Sequence, residues 1–422
     1  MSAVTPKEAP QLCLGQLLRI DCERMAHRGL GLGHFNGQVV FLFGALPGEE
    51  VTARVTGVRR RHAFADTVEV HRGSPERVEP RCPHFGVCGG CQLQHASYDF
   101  QLQAKRQLLE EAITRRGIAL PESVEAVAAE QPYGYRWRGE LHRGENGRGL
   151  GFTARGSYRV VQVGGCPIHH PVIDRAIEPL GDLAEGLEKG AKTIHLTVGG
   201  DGRELLIQSR PDPRPGEEMV STWALSYPGA PRLTAESTDL EYRGRSFRVH
   251  PDSFIQVNQG SLTRLYETVL EWLAKELDGR SVVDAYGGSG WLGLRLCDEG
   301  ASVVVIEQSP ISARLCELHA QMYQQPRLEV RCGPVEELLP EVGRPDVVVV
   351  DPPRSGLAPQ VSGWLAMAGP ATVVYLSCEV SALGRDLDAL CRLGPYRLER
   401  LRLVDMFPQT YHFETAALLV RD

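Results

Sequence analysis

Residues 281–290 read Ser281-Val282-Val283-Asp284-Ala285-Tyr286-Gly287-Gly288-Ser289-Gly290, and this stretch decides the fold. An apolar run of strand length ends in a carboxylate, then in a turn of glycines around a serine, and a short helix follows. Strand, glycine turn and helix together let bare backbone and a helix N-terminus approach a ligand closely. The next strand, Ser302 to Glu307, also ends in an acid. A carboxylate there can accept hydrogen bonds from both hydroxyls of a ribose. Turn and acid together point to an adenosine-bearing cofactor.

Working outward, the same pattern continues. Leu262, Leu265, Val269, Leu273 and Leu277 recur at helical spacing ahead of the turn, and strand-like runs follow at 346–351 and 372–378. Near-continuous apolar strands alternating with helices predict a parallel sheet covered on both faces, a Rossmann-like α/β domain. A last strand-like run, His412 to Asp422, closes the chain. In such a sheet the ligand crevice lies beyond the carboxyl ends of the strands. Asp351-Pro352-Pro353-Arg354 ends one strand and Ser377-Cys378 the next, so Asp351 and Cys378 face one crevice. The prolines stiffen the loop after Asp351. An Asp-Pro-Pro at a strand end is typical of enzymes that methylate nucleobases.

A cysteine there fits methylation of uracil at carbon 5, which is a poor nucleophile. Addition of a thiolate to carbon 6 makes an enolate, and carbon 5 then attacks the sulfonium methyl of S-adenosylmethionine. A base must afterwards remove the carbon 5 proton so that the thiol can leave. Glu414, in Phe407-Pro408-Gln409-Thr410-Tyr411-His412-Phe413-Glu414, is the candidate base. An ordinary thiol is only slightly ionised at neutral pH, so the site is expected to favour the thiolate.

The first part of the chain is different. Alternating apolar residues between 12 and 70, with glycine-rich turns, predict five short strands in a small barrel of the oligonucleotide-binding kind. Arg59-Arg60-Arg61-His62 falls in a loop or at a strand end and suits RNA contact. Residues 97–117 read as an amphipathic helix. Residues 131–166 interleave arginine, aromatic residues and glycine, as antiparallel strands that could bind RNA or simply be structural, and 209–219 reads as a loop.

Between these, Cys82, Cys88 and Cys91 form C-x5-C-x2-C, and Cys166 follows in Gly164-Gly165-Cys166-Pro167. Four thiolates can hold zinc or an iron–sulfur cluster, and spacing alone leans to zinc. His84 and His95 read as solvated or core histidines, and Cys13, Cys22, Cys297, Cys316, Cys332 and Cys391 as ordinary cysteines.

The chain of 422 residues is 42% hydrophobic and 23% charged, as in water-soluble globular proteins, and has no apolar run long enough to span a bilayer. Its start, MSAVTPKEAPQ, has no apolar stretch, so a cytoplasmic protein is expected. The net charge of −7 argues against nonspecific coating of nucleic acid. It is unevenly spread: residues 1–160 hold 21 Lys+Arg against 17 Asp+Glu, leaving 46 − 21 = 25 against 53 − 17 = 36 in the rest. A polyanion is therefore expected on the first part.

The motifs Ser253-Phe254-Ile255-Gln256-Val257-Asn258, Asp284 to Gly290, Asp351 to Gly356, Ser377-Cys378 and Phe407 to Glu414 together resemble the RNA uracil-5-methyltransferase family, in the family's order. The resemblance covers nearly the whole chain. It implies that Gln256, Tyr286, Glu307 and Asp351 line the cofactor and uridine pocket, that Cys378 is the nucleophile and Glu414 the base. It implies a 4Fe–4S cluster on Cys82, Cys88, Cys91 and Cys166. It further implies a TRAM-like OB-fold barrel (10–71), a central cluster- and RNA-binding domain, mainly β (72–245), and a methyltransferase domain (246–422). Barrel plus cluster resembles the branch acting on 23S rRNA, with the target uridine flipped from its stack. A tRNA T-loop uridine and a catalytically degenerate RNA-binding factor are the alternatives. A monomer without membrane contact is expected. The chain departs from the family pattern at Gly287, where a cysteine is usual, at Trp291, where a small polar residue is usual, at Pro334, and over Glu379 to Asp386.

Overall fold

The computed structural model describes residues 12–144, 149–184, 193–210, 232–234, 236–274 and 277–422. The loop expected at 209–219 lies, past Arg210, outside them. The chain divides into two units, Met1–Leu108 with Gln409–Tyr411, and Leu109–Pro408 with His412–Asp422.

Among the described residues the first unit has six strands, one more than the sequence pattern suggests: β1 (Leu17–Asp21), β2 (Arg24–Ala26), β3 (Leu30–Phe35), β4 (Gln38–Phe43), β5 (Glu50–Val58) and β6 (His62–Arg72). Their order is β1-β5-β6-β4-β3-β2, with β6 antiparallel to β5 and parallel to β4. Alternate residues turn inward, and Leu18, Ile20, Val40, Leu42, Val51, Ala53, Val55, Ala63 and Ala65 form the core. Glu49 is fully buried and held by Arg77 at 2.6 Å and by the amides of Leu46 and Ser74. Burial opposes its ionisation, but Arg77 and those amides outweigh burial and keep its pKa below the ordinary value. The helix Tyr98–Thr114 follows. On it, Gln101 is buried and exchanges hydrogen bonds with Gln409, side chain to side chain at 3.1 Å and from the Gln409 amide at 2.9 Å.

The second unit contains β7 (Val124–Val127) and an antiparallel sheet of β8 (Arg138–Arg143), β9 (Leu150–Thr153), β10 (Val160–Gln162) and β11 (Thr193–Gly199), extended by β12 (Glu204–Arg210) and β13 (Arg232–Thr234). The helix Pro171–Ala184 covers it through Val172, Ile173, Ala176, Ile177 and Leu180. A hairpin, β14 (Thr238–Tyr242) and β15 (Arg245–Val249), leads to the helix Gln259–Leu273.

Then comes the large sheet: β16 (Ser281–Ala285), β17 (Ser302–Glu307), β18 (Leu328–Cys332), β19 (Val347–Val350), β20 (Thr372–Ser377), β21 (Tyr396–Val404) and β22 (Glu414–Arg421). The order β18-β17-β16-β19-β20-β22-β21-β7 is parallel from β18 to β20, while β22 runs antiparallel to both neighbours. Val282, Val283, Val303, Val305, Val347, Val348, Val349, Val350, Val373 and Val374 are all buried, which is why these strands read as unbroken apolar runs. Each such side chain contributes about 1.5–3 kcal/mol by leaving water. The eighth strand, β7, pairs in parallel with Leu401–Val404 at the sheet edge. Among the described residues no helix is long and apolar enough to cross a membrane.

Candidate active site

The glycine turn begins where β16 ends. The amides of Tyr286 and Gly287 donate to the Ile306 carbonyl on β17, at 2.9 and 3.2 Å. Tyr286 takes φ 64, in the left-handed region that non-glycine residues enter only under constraint. At Gly287 there is no room for a side chain, since a Cβ would lie 2.7 Å from Val305 Cγ1 and 2.9 Å from Asp284 Oδ2. The departure to glycine here thus fits the space left by Val305. Glu307 organises the turn: its Oε2 accepts from the Gly288 amide at 2.9 Å and its Oε1 from the Ser309 amide at 2.6 Å. His319, fully buried, meets the Ser289 carbonyl through Nδ1 at 2.9 Å.

A second loop, 251–258, faces this turn. Arg138 on β8 grips it, donating to the carbonyls of Ser253 at 2.7 Å and Pro251 at 2.9 Å, and the Trp137 amide donates to Val257 at 2.7 Å. Asn258 caps the helix Gln259–Leu273 by accepting from the Ser261 amide at 3.1 Å. Its Nδ2 donates to the Met406 carbonyl at 3.2 Å.

Strand register sets the third group. Ser377 pairs with Thr415 across the antiparallel β20–β22 ladder. Cys378 follows Ser377 and Glu414 precedes Thr415, so thiol and carboxylate stand opposite each other at the end of the ladder. Asp351 follows Val350, the β19 partner of Tyr375, and so ends the neighbouring parallel strand. Gln256 hydrogen-bonds the Glu414 carboxylate with its side-chain amide, while Glu414 Oε2 is buried without a partner.

The electrostatics follow from burial. Asp284 is pushed up to about 7 by burial and then by the charge of Asp351; Asp351 is pushed up to about 7 by burial. Burial, then Asp351, raise Glu414 well above the carboxylate range, against the Gln256 bond and Arg354. The Cys378 thiol rises to about 12, chiefly by burial and then by Glu414 and Asp351, with Arg354 opposing. This corrects the expectation of a site that favours thiolate: without ligands, half-burial beside two acids favours the protonated thiol.

A cavity is lined by Phe254, Gln256, Tyr266, Tyr286, Asp351 and Trp291 with the glycine turn. Asp284 also lines it, and its Oδ2 is buried with no partner, as is the indole N–H of Trp291. An orphaned buried carboxylate oxygen suits a cationic ligand, and S-adenosylmethionine carries positive charge at sulfur and amine, so the residues fit it. Of the anticipated residues the cavity brings together Gln256, Tyr286 and Asp351. Glu307 stands at its glycine turn, and Cys378 and Glu414 stand beside Asp351 at the strand ends. Tyr266, Trp291 and Arg354 were not anticipated as site residues. Arg354 could have been read from its place in the Asp-Pro-Pro-Arg motif. Trp291 packs on Phe247, 4.5 Å between ring centroids, and on Tyr242, so its bulk completes an aromatic cluster behind the turn.

In the first unit, Cys82 and Cys88 are half-buried and Cys91 is buried. Burial raises the Cys88 thiol, as does Cys82 nearby, and the Gly90 amide points at its sulfur at 3.4 Å. In the second unit the Cys166 amide donates to Asp174. Among the described residues no three histidine, cysteine, aspartate or glutamate side chains are grouped to hold a metal ion. His95 is buried against Phe85 and pushed down to about 4 by burial, as a core histidine is. Arg59, Arg60 and Arg61 are exposed on the turn between β5 and β6.

Comparison with known proteins gives the family. A TRAM domain model matches residues 11–68, a tRNA (uracil-5-)-methyltransferase model matches 344–422, and a model for conserved hypothetical protein 95 matches 241–376. The 23S rRNA (uracil(1939)-C(5))-methyltransferase RlmD of Chromohalobacter salexigens is 35% identical over 96% of this chain and 89% of its own. The chain belongs to the S-adenosylmethionine-dependent RNA (uracil-5-)-methyltransferases. An RlmD of Shewanella amazonensis is 31% identical, covering 98% of this methyltransferase and 97% of its own chain. The crystal structure of the Pyrococcus abyssi tRNA (uracil-54, C5)-methyltransferase with S-adenosyl-L-homocysteine superposes with a TM-score of 0.73 at 24% identity, over 95% of this methyltransferase and 100% of that chain. It shows a shared fold. The expected α/β catalytic fold with an N-terminal TRAM barrel is therefore that of the methyltransferase, and RNA is its substrate class.

Proposed function

We propose that this methyltransferase acts on carbon 5 of a specific uridine in 23S rRNA through a covalent bond between Cys378 and uracil carbon 6. The observation that carries the reading is the register that sets Cys378 opposite Glu414, with Asp351 ending the adjacent strand. The names of the two bacterial relatives support 23S rRNA as the target.

The residues divide the work as follows. Cys378 sulfur bonds to carbon 6, its proton leaving to solvent, and the electron pair of the carbon 5–carbon 6 double bond moves onto the carbon 5 enolate. S-adenosylmethionine, when bound, supplies the methyl that carbon 5 takes from its sulfonium. Glu414 removes the carbon 5 proton; its raised pKa makes it a stronger base than an ordinary carboxylate. The double bond re-forms, the carbon 6–sulfur bond breaks, and Cys378 is released as thiolate. Arg354, whose charge opposes the rise in both Cys378 and Glu414, favours their ionised forms. Asp284, Asp351, Tyr286 and Gln256 hold the cofactor, with Glu307 fixing the turn and offering its carboxylate to a ribose.

The proposal includes a 4Fe–4S cluster on Cys82, Cys88, Cys91 and Cys166, with zinc the alternative occupant. The four cysteines suit a metal centre whose spacing alone leans to zinc; the choice of the iron–sulfur cluster rests on the family resemblance, and no chemical step passes through it. We also read the enzyme as cytoplasmic and monomeric, with the exposed Arg59–Arg61 turn contacting RNA.

The test is transfer from labelled S-adenosylmethionine to unmodified 23S rRNA and tRNA transcripts, with Cys378→Ala alongside. The proposal expects 5-methyluridine in 23S rRNA and none from the variant. Methylation of tRNA alone would move the target. Binding of RNA without transfer to either would mark a degenerate RNA-binding factor.

A further inference from the structure

The methyl-transfer scheme leaves several buried acids unused, and one of them lies beside the nucleophile's strand. Asp386, 3% exposed, lies on the helix Val380–Leu387 just after Cys378. Its Oδ2 accepts from the Tyr375 hydroxyl at 2.6 Å and from the Leu357 amide at 2.7 Å. Its Oδ1 pairs with Arg385 at 2.7 Å, and Arg385 Nη2 also donates to the Ser355 carbonyl at 2.7 Å. The loop Asp351–Leu357 is thus tied at two points. Between them Gly356 sits at φ 78, and its amide closes a turn on the Pro353 carbonyl at 2.8 Å. A Cβ on Gly356 would strike both Arg385 Nη2 and Asp386 Oδ2, so acid and cation lie directly against the turn.

Three elements meet at this carboxylate. Tyr375 is on β20, the strand that ends at Cys378. Arg385 and Asp386 are on the helix that follows Cys378. Ser355 and Leu357 belong to the loop that follows Asp351. That loop carries Arg354, an exposed cation whose charge reaches Cys378 and Glu414. An exposed arginine on a free loop would average its field over many positions and be screened by water. Catalytic geometry tolerates little of that, since small misplacements of a charged group lose much of its effect.

We propose that Asp386 is a positioning residue: with Arg385 and Tyr375 it clamps the loop Asp351–Leu357 so that Arg354 is held facing the Cys378 sulfur. The proposal rests on the reading of Cys378 as nucleophile. It differs from a purely structural role in that Asp386 acts through Arg354.

The experiment measures site-resolved alkylation of Cys378 by iodoacetamide at fixed pH, read by peptide mass spectrometry, in the full-length protein without RNA. Variants are Asp386→Asn, Tyr375→Phe, Arg385→Gln, Arg354→Ala and the pair Asp386→Asn with Arg354→Ala. Below its pKa a thiol reacts in proportion to its thiolate fraction, so a loss of about one pKa unit of stabilisation slows alkylation about tenfold. Asp386→Asn is expected to slow Cys378 about three- to tenfold, Tyr375→Phe and Arg385→Gln less, and the double variant no more than Arg354→Ala alone. In turnover, kcat is expected to fall with KM for S-adenosylmethionine unchanged. Wild-type alkylation in folded Asp386→Asn, or effects of Asp386 and Arg354 that multiply, would overturn the proposal. If Asp386→Asn does not fold, Tyr375→Phe and Arg385→Gln decide in the same way: slowed alkylation supports it, and wild-type rates overturn it. Full turnover by Cys378→Ala would instead remove the nucleophile reading, and the alkylation rates would still report on the clamp.

Discussion

The side-chain amide of Gln256 donates a hydrogen bond to the carboxylate of Glu414. Gln256 comes from the loop before the helix Gln259–Leu273, and Glu414 from the first position of β22. The bond favours the ionised form of a carboxylate that burial and Asp351 drive toward the neutral form.

Gln256→Leu should therefore raise the Glu414 pKa further. The base-limited limb of kcat against pH is expected to move to higher pH, with kcat near neutrality down several-fold, since the smaller ionised fraction outweighs the gain in base strength. A pH–rate profile of the variant on RNA checks this, and an unshifted limb would mean that the bond does not set the base.

Asp284 sits at about 7 against an ordinary 3.8. The folded protein then holds a proton there that the unfolded chain releases from about pH 4 upward. Its contribution is thus most favourable at low pH and declines as pH rises toward 7. Asp284→Asn removes this decline, so without cofactor the variant should melt higher than wild type at pH 8 and lose that advantage near pH 4. Thermal melts at both pH values decide.

The same acids should make cofactor binding depend on pH. The ionised carboxylates of Asp284 and Asp351 attract a sulfonium, whereas S-adenosylhomocysteine has a neutral sulfur. Calorimetric affinity for S-adenosylmethionine should rise from pH 6 to 8, several-fold more than that for S-adenosylhomocysteine. Parallel pH curves would show that the two acids do not read the sulfonium.

Trp291 stands where a small polar residue is usual, and it packs on Phe247 and Tyr242. Trp291→Ala should lower stability by about 3–5 kcal/mol, as truncation of a buried aromatic does. Trp291→Phe should lose far less and still bind cofactor. Urea titration with a binding isotherm measures both.

The proposed cluster predicts about four iron and four sulfide per chain after anaerobic purification, with visible absorption that Cys88→Ser abolishes. Stoichiometric zinc without colour would assign the other occupant.

Much of the catalytic sheet was legible because its chemistry sits at strand ends. Asp284, Glu307, Asp351 and Cys378 each close an apolar run, and apolar runs carry their own boundaries. The sixth barrel strand escaped because Arg24–Ala26 is too short to show alternation. β7 escaped for a related reason: Val124–Val127 is four residues long, and its partners Leu401–Val404 lie far off in sequence. The clamp by Asp386 and the grip of Arg138 on loop 251–258 are also nonlocal, set by packing that no periodicity announces. The thiol was misjudged because chemistry alone argues for a thiolate, whereas the fold buries Cys378 beside two acids.

The most direct test of the central claim is mass spectrometry of the enzyme incubated with S-adenosylmethionine and a 23S rRNA fragment carrying 5-fluorouridine. Fluorine at carbon 5 cannot leave as a proton does, so the covalent species should persist. The account predicts a methylated RNA adduct on the Cys378 peptide in wild type and none in Cys378→Ala. Methylation of ordinary uridine by Cys378→Ala at the wild-type rate, with no adduct on Cys378 in wild type, would contradict it.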